Sequence, residues 1–289
     1  MTAKEWFQKA RKENFAIGAF NVDSLEIFRG ICIAGKNKKS PVMLEFSQGE
    51  VGYFGLANIV DMVLHARREY QIPILLNLDH SKKVEDCLAA INIGRFDDVH
   101  FDGSELPYDE NVIGAKKVVA AAHAKGLLVE GEIDKISGSS EAHLEDIDVD
   151  ALKKSYSDPA RAKKFVSETG VDIFAAFFGN LHGTFTNEPQ LDIKLLGEIA
   201  KTLPDTFLSM HGGSGISAGQ VREAIDVGKI VKVNVNTELR VAFHDALGEQ
   251  VSANPDELAY YKLTDQMVMA VAAVVEGKIG IFGSAGKAS

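Results

Sequence analysis

Short apolar runs alternate with longer segments of helical periodicity along the whole chain. The apolar runs number eight and lie at residues 15–20, 41–46, 73–79, 98–103, 127–133, 172–179, 206–213 and 230–237. Such near-continuous apolar runs are typical of parallel strands that are covered on both faces. Between them, apolar residues recur every three to four positions, which predicts amphipathic helices at 24–38, 56–70, 83–94, 109–125, 158–169, 191–202 and 217–228.

This alternation of strand and helix predicts an α/β fold with a parallel sheet. Eight strand–helix units in 289 residues favour a closed (β/α)8 TIM barrel. The structural alternative is an open doubly wound sheet, but the segment GAFNVDS at the first strand lacks the dinucleotide-binding pattern G-x-G-x-x-G. We therefore expect residues 1–289 to form a single TIM-barrel domain with a C-terminal helical extension after Thr237.

Two local features refine this organisation. Gly126, Gly170 and Gly228 each lie between a predicted helix and the next strand, where a left-handed helix terminator is expected. The connection at residues 134–157 is longer than a barrel requires and begins with a segment rich in Ser, Gly and acidic residues. Because long loops on rigid scaffolds commonly carry function, this connection is a candidate part of the site.

Composition narrows the choice of partner and compartment. The formal net charge is −10 and the isoelectric point is near 5.3, which argues against nucleic acid as a partner. No long apolar run suggests a membrane span or a membrane partner. The two cysteines, Cys32 and Cys87, fall in predicted helices and form no recognisable motif, so a reducing, cytoplasmic location is expected.

Three of the eight histidines follow predicted strands at the same rim of the barrel. They are His80, His182 and His211, each beside a glycine or an aspartate. Chemistry in TIM barrels takes place at the C-terminal ends of the strands, and three imidazoles with an open position form a known catalytic zinc site. We therefore predict a catalytic metal site there. Three other histidines are expected to be ordinary hydrogen-bonded residues, namely His100, His123 and His143.

A phosphate-binding site is predicted beside these histidines. The segment HGGSG at 211–215 follows the seventh strand, and NVNT at 234–237 ends the eighth. Loops after strands 7 and 8 of TIM barrels frequently bind phosphate through backbone N–H groups. A metal ion beside a phosphate cradle suits Lewis-acid chemistry on a phosphorylated carbonyl compound, with the Asp79 carboxylate moving protons.

The ordered motifs of the chain resemble those of the class II, metal-dependent fructose-bisphosphate and ketose-bisphosphate aldolases. The resemblance runs nearly end to end, through GAFNVDSLE, SPVMLEFSQG, LDH, DGSELPYDEN, AHAKGLLVEGEI, FGNLHG, HGGSGI, KVNVNTELRVAF and IGIFGSAGKA. The chain departs from the family pattern H-L-D-H-G at residues 77–81, which read N-L-D-H-S, and also in the segment after Glu132.

The resemblance implies a role for each matching position. Asp79 matches the residue that exchanges a proton with the substrate C4 hydroxyl, and Glu141 in the long connection is the candidate base at C1. His80, His182 and His211 match the ligands of the catalytic Zn²⁺. Asp102 and Glu132 match a second, non-catalytic metal position, which in this chain could hold a second metal or a monovalent cation such as Na⁺ or K⁺. The implied substrate contacts are Ser47, Gly183, Gly212, Gly213, Ser214, Asn234, Val235, Asn236, Thr237 and Arg240, the last of which matches an arginine that meets a second phosphate.

The reaction that the resemblance implies is reversible aldol cleavage of a ketose 1,6-bisphosphate, first of all fructose 1,6-bisphosphate. The products would be dihydroxyacetone phosphate and an aldehyde such as glyceraldehyde 3-phosphate, as in glycolysis and gluconeogenesis. Tagatose bisphosphate or another ketose phosphate is the alternative substrate. The partner is thus a small phosphorylated sugar, and a homodimer or homotetramer is expected.

Three other functions remain open on the residues alone. A class I aldolase would need a lysine buried inside the barrel, for which Lys232 is a weak candidate because nothing nearby in the sequence is seen to desolvate it. A metal-dependent hydrolase could use the same three histidines to activate water. A non-catalytic barrel would be expected to lose the histidines or Asp79, and all of them are present.

Overall fold

The computed structural model describes residues 1–143, 147 and 149–288. In this part of the chain the strands are β1 (Ile17–Asn21), β2 (Val42–Phe46), β3 (Ile74–Ser81), β4 (Asp98–Asp102), β5 (Leu128–Glu132), β6 (Gly138–Ala142), β7 (Ile173–Ala175), β8 (His182–Thr184), β9 (Phe207–Met210) and β10 (Ile230–Val235). Eight of them close into a parallel barrel in the order β1-β10-β9-β7-β5-β4-β3-β2. The predicted (β/α)8 fold is confirmed, and each barrel strand falls within or overlaps one of the predicted apolar runs.

Helices separate the barrel strands and cover their outer face. The described helices are α1 (Ala3–Glu13), α2 (Leu25–Lys38), α3 (Gln48–Phe54), α4 (Leu56–Tyr70), α5 (Val84–Ile93), α6 (Tyr108–His123), α7 (Val149–Lys153), α8 (Pro159–Thr169), α9 (Ile193–Thr202), α10 (Ala218–Gly228), α11 (Thr237–Ala253) and α12 (Thr264–Phe282). The seven predicted helices correspond to α2, α4, α5, α6, α8, α9 and α10. None of the described helices combines the length and the apolar character that crossing a membrane requires.

The N-terminal helix α1 closes one end of the barrel. Thr2 and Glu5 form a capping box that satisfies the first amides of this helix. The apolar face of the helix, with Trp6, Phe7 and Ala10, packs against the residues at the N-terminal ends of the strands. The opposite end, where the strands finish, is left for the site.

The inner face of the barrel changes from apolar to polar along the strands. Near α1 it carries the buried residues Ala19, Met43, Leu75, Leu128 and Phe207. Side chains alternate in direction along a strand, so the next inward positions are two residues further on. These positions hold the buried polar residues Asn21, Glu45, Asn77, Glu130 and Ser209. Burying so many polar groups requires partners for each, and their network leads directly to the mouth of the barrel.

The long connection after β5 has secondary structure of its own. Its strand β6 pairs with β8, which directly follows the sixth predicted apolar run, to form a two-stranded sheet at the mouth. The sequence did not predict this small sheet. Of this connection, residues 144–146 and 148 lie outside the described part. The two cysteines, Cys32 and Cys87, are buried and unpaired in α2 and α5.

The predicted glycine terminators hold at two of three positions. Gly126 and Gly170 adopt left-handed φ values of 75° and 76°. The prediction for Gly228 was wrong: this residue is the last of α10, and Lys229 takes the left-handed conformation instead, with φ 54°. Gly228 is required for a different reason, since an added Cβ would lie 2.7 Å from the buried side chain of Leu196 on α9.

We expect Gly228→Ala to lower the free energy of unfolding by about 1–3 kcal/mol, because Leu196 must move within a packed core. The matched control is Gly219→Ala in the same helix, where an added Cβ meets nothing within 4 Å. This control should be neutral or stabilising by up to about 1 kcal/mol, since alanine favours helix. Urea unfolding of both variants measures the difference, and equal stabilities would contradict the proposed contact between α9 and α10.

Candidate active site

An irregularity at the end of β3 brings Asp79 and His80 to the same cavity. The register of β3 against β4 shifts between Leu78 and Ser81, and His80 has a left-handed φ of 42°. In a regular strand two consecutive side chains would face opposite ways, whereas a bulge re-aims one of them. Both Asp79 and His80 therefore line the cavity at the barrel mouth.

The three histidines predicted as metal ligands lie together at this mouth. The ring centroid of His80 is 4.5 Å from that of His211 and 5.0 Å from that of His182. The nitrogens of His80 and His211 are closest, with 2.9 Å between Nε2 and Nδ1. The candidate metal-binding atoms that lie within 4.8 Å of one another belong to Asp79, His80, His100 and His211. His182 stands beside this set with its ring edge-on to both other rings.

Two carboxylates fix the orientation of the two closest imidazoles. Asp102 Oδ2 lies 3.0 Å from Nδ1 of His80, and Glu130 Oε1 lies 2.7 Å from Nε2 of His211. Burial opposes ionisation of both acids, but their neighbours hold the two pKa values well below the usual range, His80 acting on Asp102 and Lys232 on Glu130. A carboxylate can only accept, so the facing nitrogens, His80 Nε2 and His211 Nδ1, have one N–H between them at most.

This arrangement fits a metal ion. With no N–H between them, the two facing nitrogens would repel each other across 2.9 Å, and a shared cation, either a proton or a metal ion, would offset this repulsion. Burial lowers the pKa of His182 to about 3 and that of His211 to about 4, so both imidazoles are in the neutral form that binds metals. Zinc sites in proteins commonly use histidine ligands whose other ring nitrogen donates to a carboxylate, as His80 and His211 can do here.

The predicted second cation position is also assembled. Ligand atoms of His80, Asp102 and Glu132 lie within 4.8 Å of one another. Glu132 is fully buried, and among the described residues its Oε2 atom has no hydrogen-bond partner. Such an orphaned buried oxygen is compatible with a cation at this position. Asp102 is already engaged through His80 and through the amide and hydroxyl of Ser104.

Asp79 is buried among groups that favour its carboxylate form. Asn21 donates to Oδ2 at 3.0 Å, and Asn234 donates to Oδ1 at 3.4 Å. Burial alone would raise the pKa of Asp79, but His80 and other cationic neighbours hold it well below its usual range. The residue is therefore held as a carboxylate beside the imidazoles.

The predicted phosphate cradle lines the innermost cavity together with Asp79 and the three histidines. Its members there are Gly183, Gly212, Ser214, Asn234, Asn236 and Thr237. Gly212 has φ 66°, and a Cβ at this position would lie 2.0 Å from the carbonyl oxygen of Leu181, so only glycine fits. Helix α11 begins at Thr237 and directs its N-terminus at the cavity, which favours an anion.

Four of the predicted substrate contacts do not line this cavity, and two of them, Gly213 and Val235, do not line the larger cavity beside it either. The amide of Gly213 is already used, because it donates to the carbonyl of Asn234 at 2.8 Å. The side chain of Val235 is buried in the main core, so that only its backbone could meet a ligand. A residue within the segments HGGSG or NVNT therefore does not necessarily direct its side chain into the cavity.

A larger cavity of 280 Å³ adjoins the first and carries Ser47 and Arg240. The guanidinium of Arg240 is held by Asp23 at 2.9 Å and by Glu50 at 3.1 Å. Glu141 is exposed on β6 and accepts a hydrogen bond from Ser139, and it is not among the described residues that line either cavity. Its role as a base stays a prediction.

The sequence did not single out several residues of the site. His100 was expected to be an ordinary hydrogen-bonded histidine, but its buried ring lies 4.6 Å from that of His80 and 5.0 Å from that of His211. A signal was present, because His100 is two residues before Asp102 on the same strand and therefore faces the same way. Glu130 lies two residues before Glu132 at the end of the fifth predicted strand and faces the same way, but its contact with His211 did not follow from the sequence.

Lys232 occupies the centre of the barrel beneath the histidines. Its side chain is fully buried, and its Nζ lies 2.6 Å from Glu130 and 2.8 Å from Glu45. The expectation that nothing desolvates this lysine was wrong. Burial opposes its charge, but the two glutamates hold its pKa well above the usual range. A lysine held protonated cannot act as the nucleophile of a class I aldolase.

We expect Lys232→Met to lower the free energy of unfolding by about 3–5 kcal/mol, because it leaves Glu130 as an uncompensated buried charge. The matched control is Lys194→Met, since the Lys194 side chain is 90% exposed and its ion pair with Glu198 spans 3.9 Å. That control should change stability by less than about 1 kcal/mol. Urea unfolding at neutral pH compares the two, and a stable Lys232 variant would contradict a charged network in the barrel.

Comparison with known proteins agrees with this fold and identifies the family. The family described as "Fructose-bisphosphate aldolase class-II" matches residues 1–287. The chain is 36% identical to the fructose-bisphosphate aldolase of Streptococcus pneumoniae, over 100% of this chain and 99% of the relative. It is also 36% identical to the probable fructose-bisphosphate aldolase of Bacillus subtilis, over 98% of each.

A solved structure shares the architecture. The crystal structure of the YdjI aldolase from Escherichia coli superposes with a TM-score of 0.83 at 30% identity, covering 99% of this chain and 98% of that one. The match to one family thus extends over nearly the whole chain, including the residues that form the barrel and the cavity at its mouth. The chain belongs to the class II fructose-bisphosphate aldolase family.

Proposed function

We propose that this protein catalyses the reversible aldol cleavage of a ketose 1,6-bisphosphate, with fructose 1,6-bisphosphate as its first substrate. The products would be dihydroxyacetone phosphate and glyceraldehyde 3-phosphate, and tagatose 1,6-bisphosphate is the alternative substrate. The observation that carries the proposal is the position of the Asp79 carboxylate. It lines one cavity together with the facing nitrogens of His80 and His211 and a glycine-lined helix N-terminus.

The residues of the mouth divide the chemistry between them. His80, His182 and His211 would hold a divalent metal ion, for which Zn²⁺ is proposed, and this ion would act as a Lewis acid on the substrate carbonyl. Asp79 accepts and returns the proton of the C4 hydroxyl, a role that its place in the cavity beside the imidazoles supports. For the proton at C1 the proposed base is Glu141, which a movement of β6 would have to bring into the cavity.

The two cavities provide places for the two ends of the substrate. Gly183, Gly212, Ser214 and the start of α11 would bind the phosphate of the triose half through backbone and hydroxyl groups. Gly213 and Val235 would contribute only through their backbone. Ser47 and Arg240 line the larger cavity, where the aldehyde half would lie. To meet a second phosphate, Arg240 would exchange part of its contact with Asp23 or Glu50.

The remaining expectations complete the proposal. Asp102 and Glu132 would hold a second metal ion or a monovalent cation such as Na⁺ or K⁺ beside His80. The protein would act as a single barrel domain with its C-terminal extension, as a homodimer or homotetramer, and in the cytoplasm.

The test is a cleavage assay with fructose 1,6-bisphosphate and tagatose 1,6-bisphosphate, each with and without EDTA. We expect coupled detection of dihydroxyacetone phosphate with one of the two sugars and its loss in EDTA, restored by Zn²⁺. Release of inorganic phosphate instead would favour a hydrolase. EDTA-resistant cleavage that borohydride traps as a covalent adduct would favour an imine mechanism and would contradict the proposal.

A further inference from the structure

His100 is a buried imidazole at the centre of the site that the proposed mechanism leaves without a role. It lies on β4, one strand away from Asp79 and His80, and its side chain is fully buried. The two ring nitrogens face different neighbours. The neighbours are the backbone of β3 on one side and Glu132 on the other.

One ring nitrogen meets the irregular part of β3. Where the register against β4 shifts, the backbone amide of His80 donates to Nδ1 of His100 at 3.4 Å. The same nitrogen lies 3.9 Å from Oδ1 of Asp79. His80 has a left-handed backbone, which a non-glycine residue keeps only where its surroundings hold it. The ring of His100 is one such support, because it replaces a strand partner for this amide.

The other ring nitrogen faces β5. Nε2 of His100 lies 3.5 Å from Oε2 of Glu132, and within the described residues neither of these two buried atoms has a hydrogen-bond partner. Because Nδ1 accepts from His80, a neutral ring carries its proton on Nε2, the nitrogen nearer to the Glu132 carboxyl group. The imidazole is thus wedged between the bulge of β3 and a buried acid on β5.

We propose that His100 is a positioning residue that holds the bulge of β3, so that Asp79 and His80 face the cavity together. The essential contact is the hydrogen bond that Nδ1 of His100 accepts from the backbone amide of His80. On the other side of the ring, Glu132 packs against Nε2. The inference rests on the proposed function only for its effect on turnover. Its effects on the backbone of β3 and on metal binding do not depend on which sugar is the substrate.

Three substitutions separate the two edges of the ring. In His100→Asn the amide oxygen can take the place of Nδ1, in His100→Gln the amide reaches the place of Nε2, and His100→Leu removes both polar atoms. The matched control is His65→Leu, a histidine on α4 whose side chain is 70% exposed. The zinc-loaded variants are compared by hydrogen exchange of the segment 78–82 and by Zn²⁺ affinity from chelator competition.

We expect His100→Leu to speed amide exchange in this segment and to weaken Zn²⁺ binding by about 10- to 100-fold, as losses of supporting contacts at metal sites do. His100→Asn should recover most of the affinity and protection, and His100→Gln should not. Cleavage should fall more than the exchange of the C1 proton of dihydroxyacetone phosphate, since Asp79 loses its orientation.

The opposite pattern would overturn the assignment. If His100→Leu kept the parental Zn²⁺ affinity and protection, or if glutamine restored them and asparagine did not, His100 would not hold the bulge. Should His100→Leu fail to fold, the contrast between the asparagine and glutamine variants decides. If the parent protein cleaved no sugar, the proposed function would fail, while the affinity and exchange results would still test this inference.

Discussion

Replacing His211 with alanine is expected to abolish both metal binding and aldol cleavage. His211 presents Nδ1 to Nε2 of His80 at 2.9 Å, and Glu130 fixes the ring from its other nitrogen. Loss of this imidazole would remove a proposed metal ligand and would leave Glu130 with one fewer hydrogen-bond donor. Lewis-acid catalysis contributes several kcal/mol, so turnover should fall by about a thousandfold or more.

The same result is expected for His80→Ala and His182→Ala, because all three imidazoles are proposed to hold the ion. Metal per chain, measured by plasma mass spectrometry after dialysis, should drop to near zero in each variant. His244→Ala is the matched control, since the His244 side chain is 85% exposed. A variant of His211 that retained stoichiometric zinc and turnover would exclude this histidine as a ligand.

The protein is a class II aldolase, a carbon–carbon lyase, and much of its fold could be predicted from the sequence. The apolar runs located all eight barrel strands because buried parallel strands have no polar face to interrupt the pattern. The rim position of His80, His182 and His211 followed directly, since strand ends meet at one mouth. In a closed parallel barrel, each strand pairs with the strands that precede and follow it along the chain, so the order of the apolar runs predicts which strands are neighbours.

The remainder of the site depends on features that the apolar pattern does not encode. The side-by-side placement of Asp79 and His80 requires a bulge and a left-handed residue, and neither has a sequence signature here. Lys232 alternates with valines, and its charge is explained only by Glu45 and Glu130 on other strands. Partners this far apart in sequence become visible only when the barrel closes.

Secondary structure in the long connection was missed for a similar reason. Strand β6 consists of small and polar residues, so it lacks the apolar run that marked the barrel strands. It is held by pairing with β8, whose first residue is His182. Hence the loop that carries Glu141 is paired through β8 with the segment that begins at His182, an arrangement that strand propensity could not reveal.

The second large effect concerns Asp79, whose replacement by alanine should separate the two halves of the reaction. Asp79→Ala is expected to keep the metal, because His80, His182 and His211 remain, yet to lower cleavage by about 10²- to 10⁴-fold. The carboxylate is the proposed proton acceptor at the C4 hydroxyl, so carbon–carbon bond cleavage depends on it. Removal of the C1 proton of dihydroxyacetone phosphate does not.

Slow exchange of that C1 proton with solvent should therefore persist in Asp79→Ala, and proton NMR in deuterated water measures it. Asp79→Asn is the matched variant, since it keeps the size of the side chain and the contact with Asn234 but cannot take up a proton at neutral pH. Both variants should retain parental zinc. If C1 exchange disappeared together with cleavage while the zinc stayed, Asp79 would have to serve both protons, and the separate base proposed on β6 would be unnecessary.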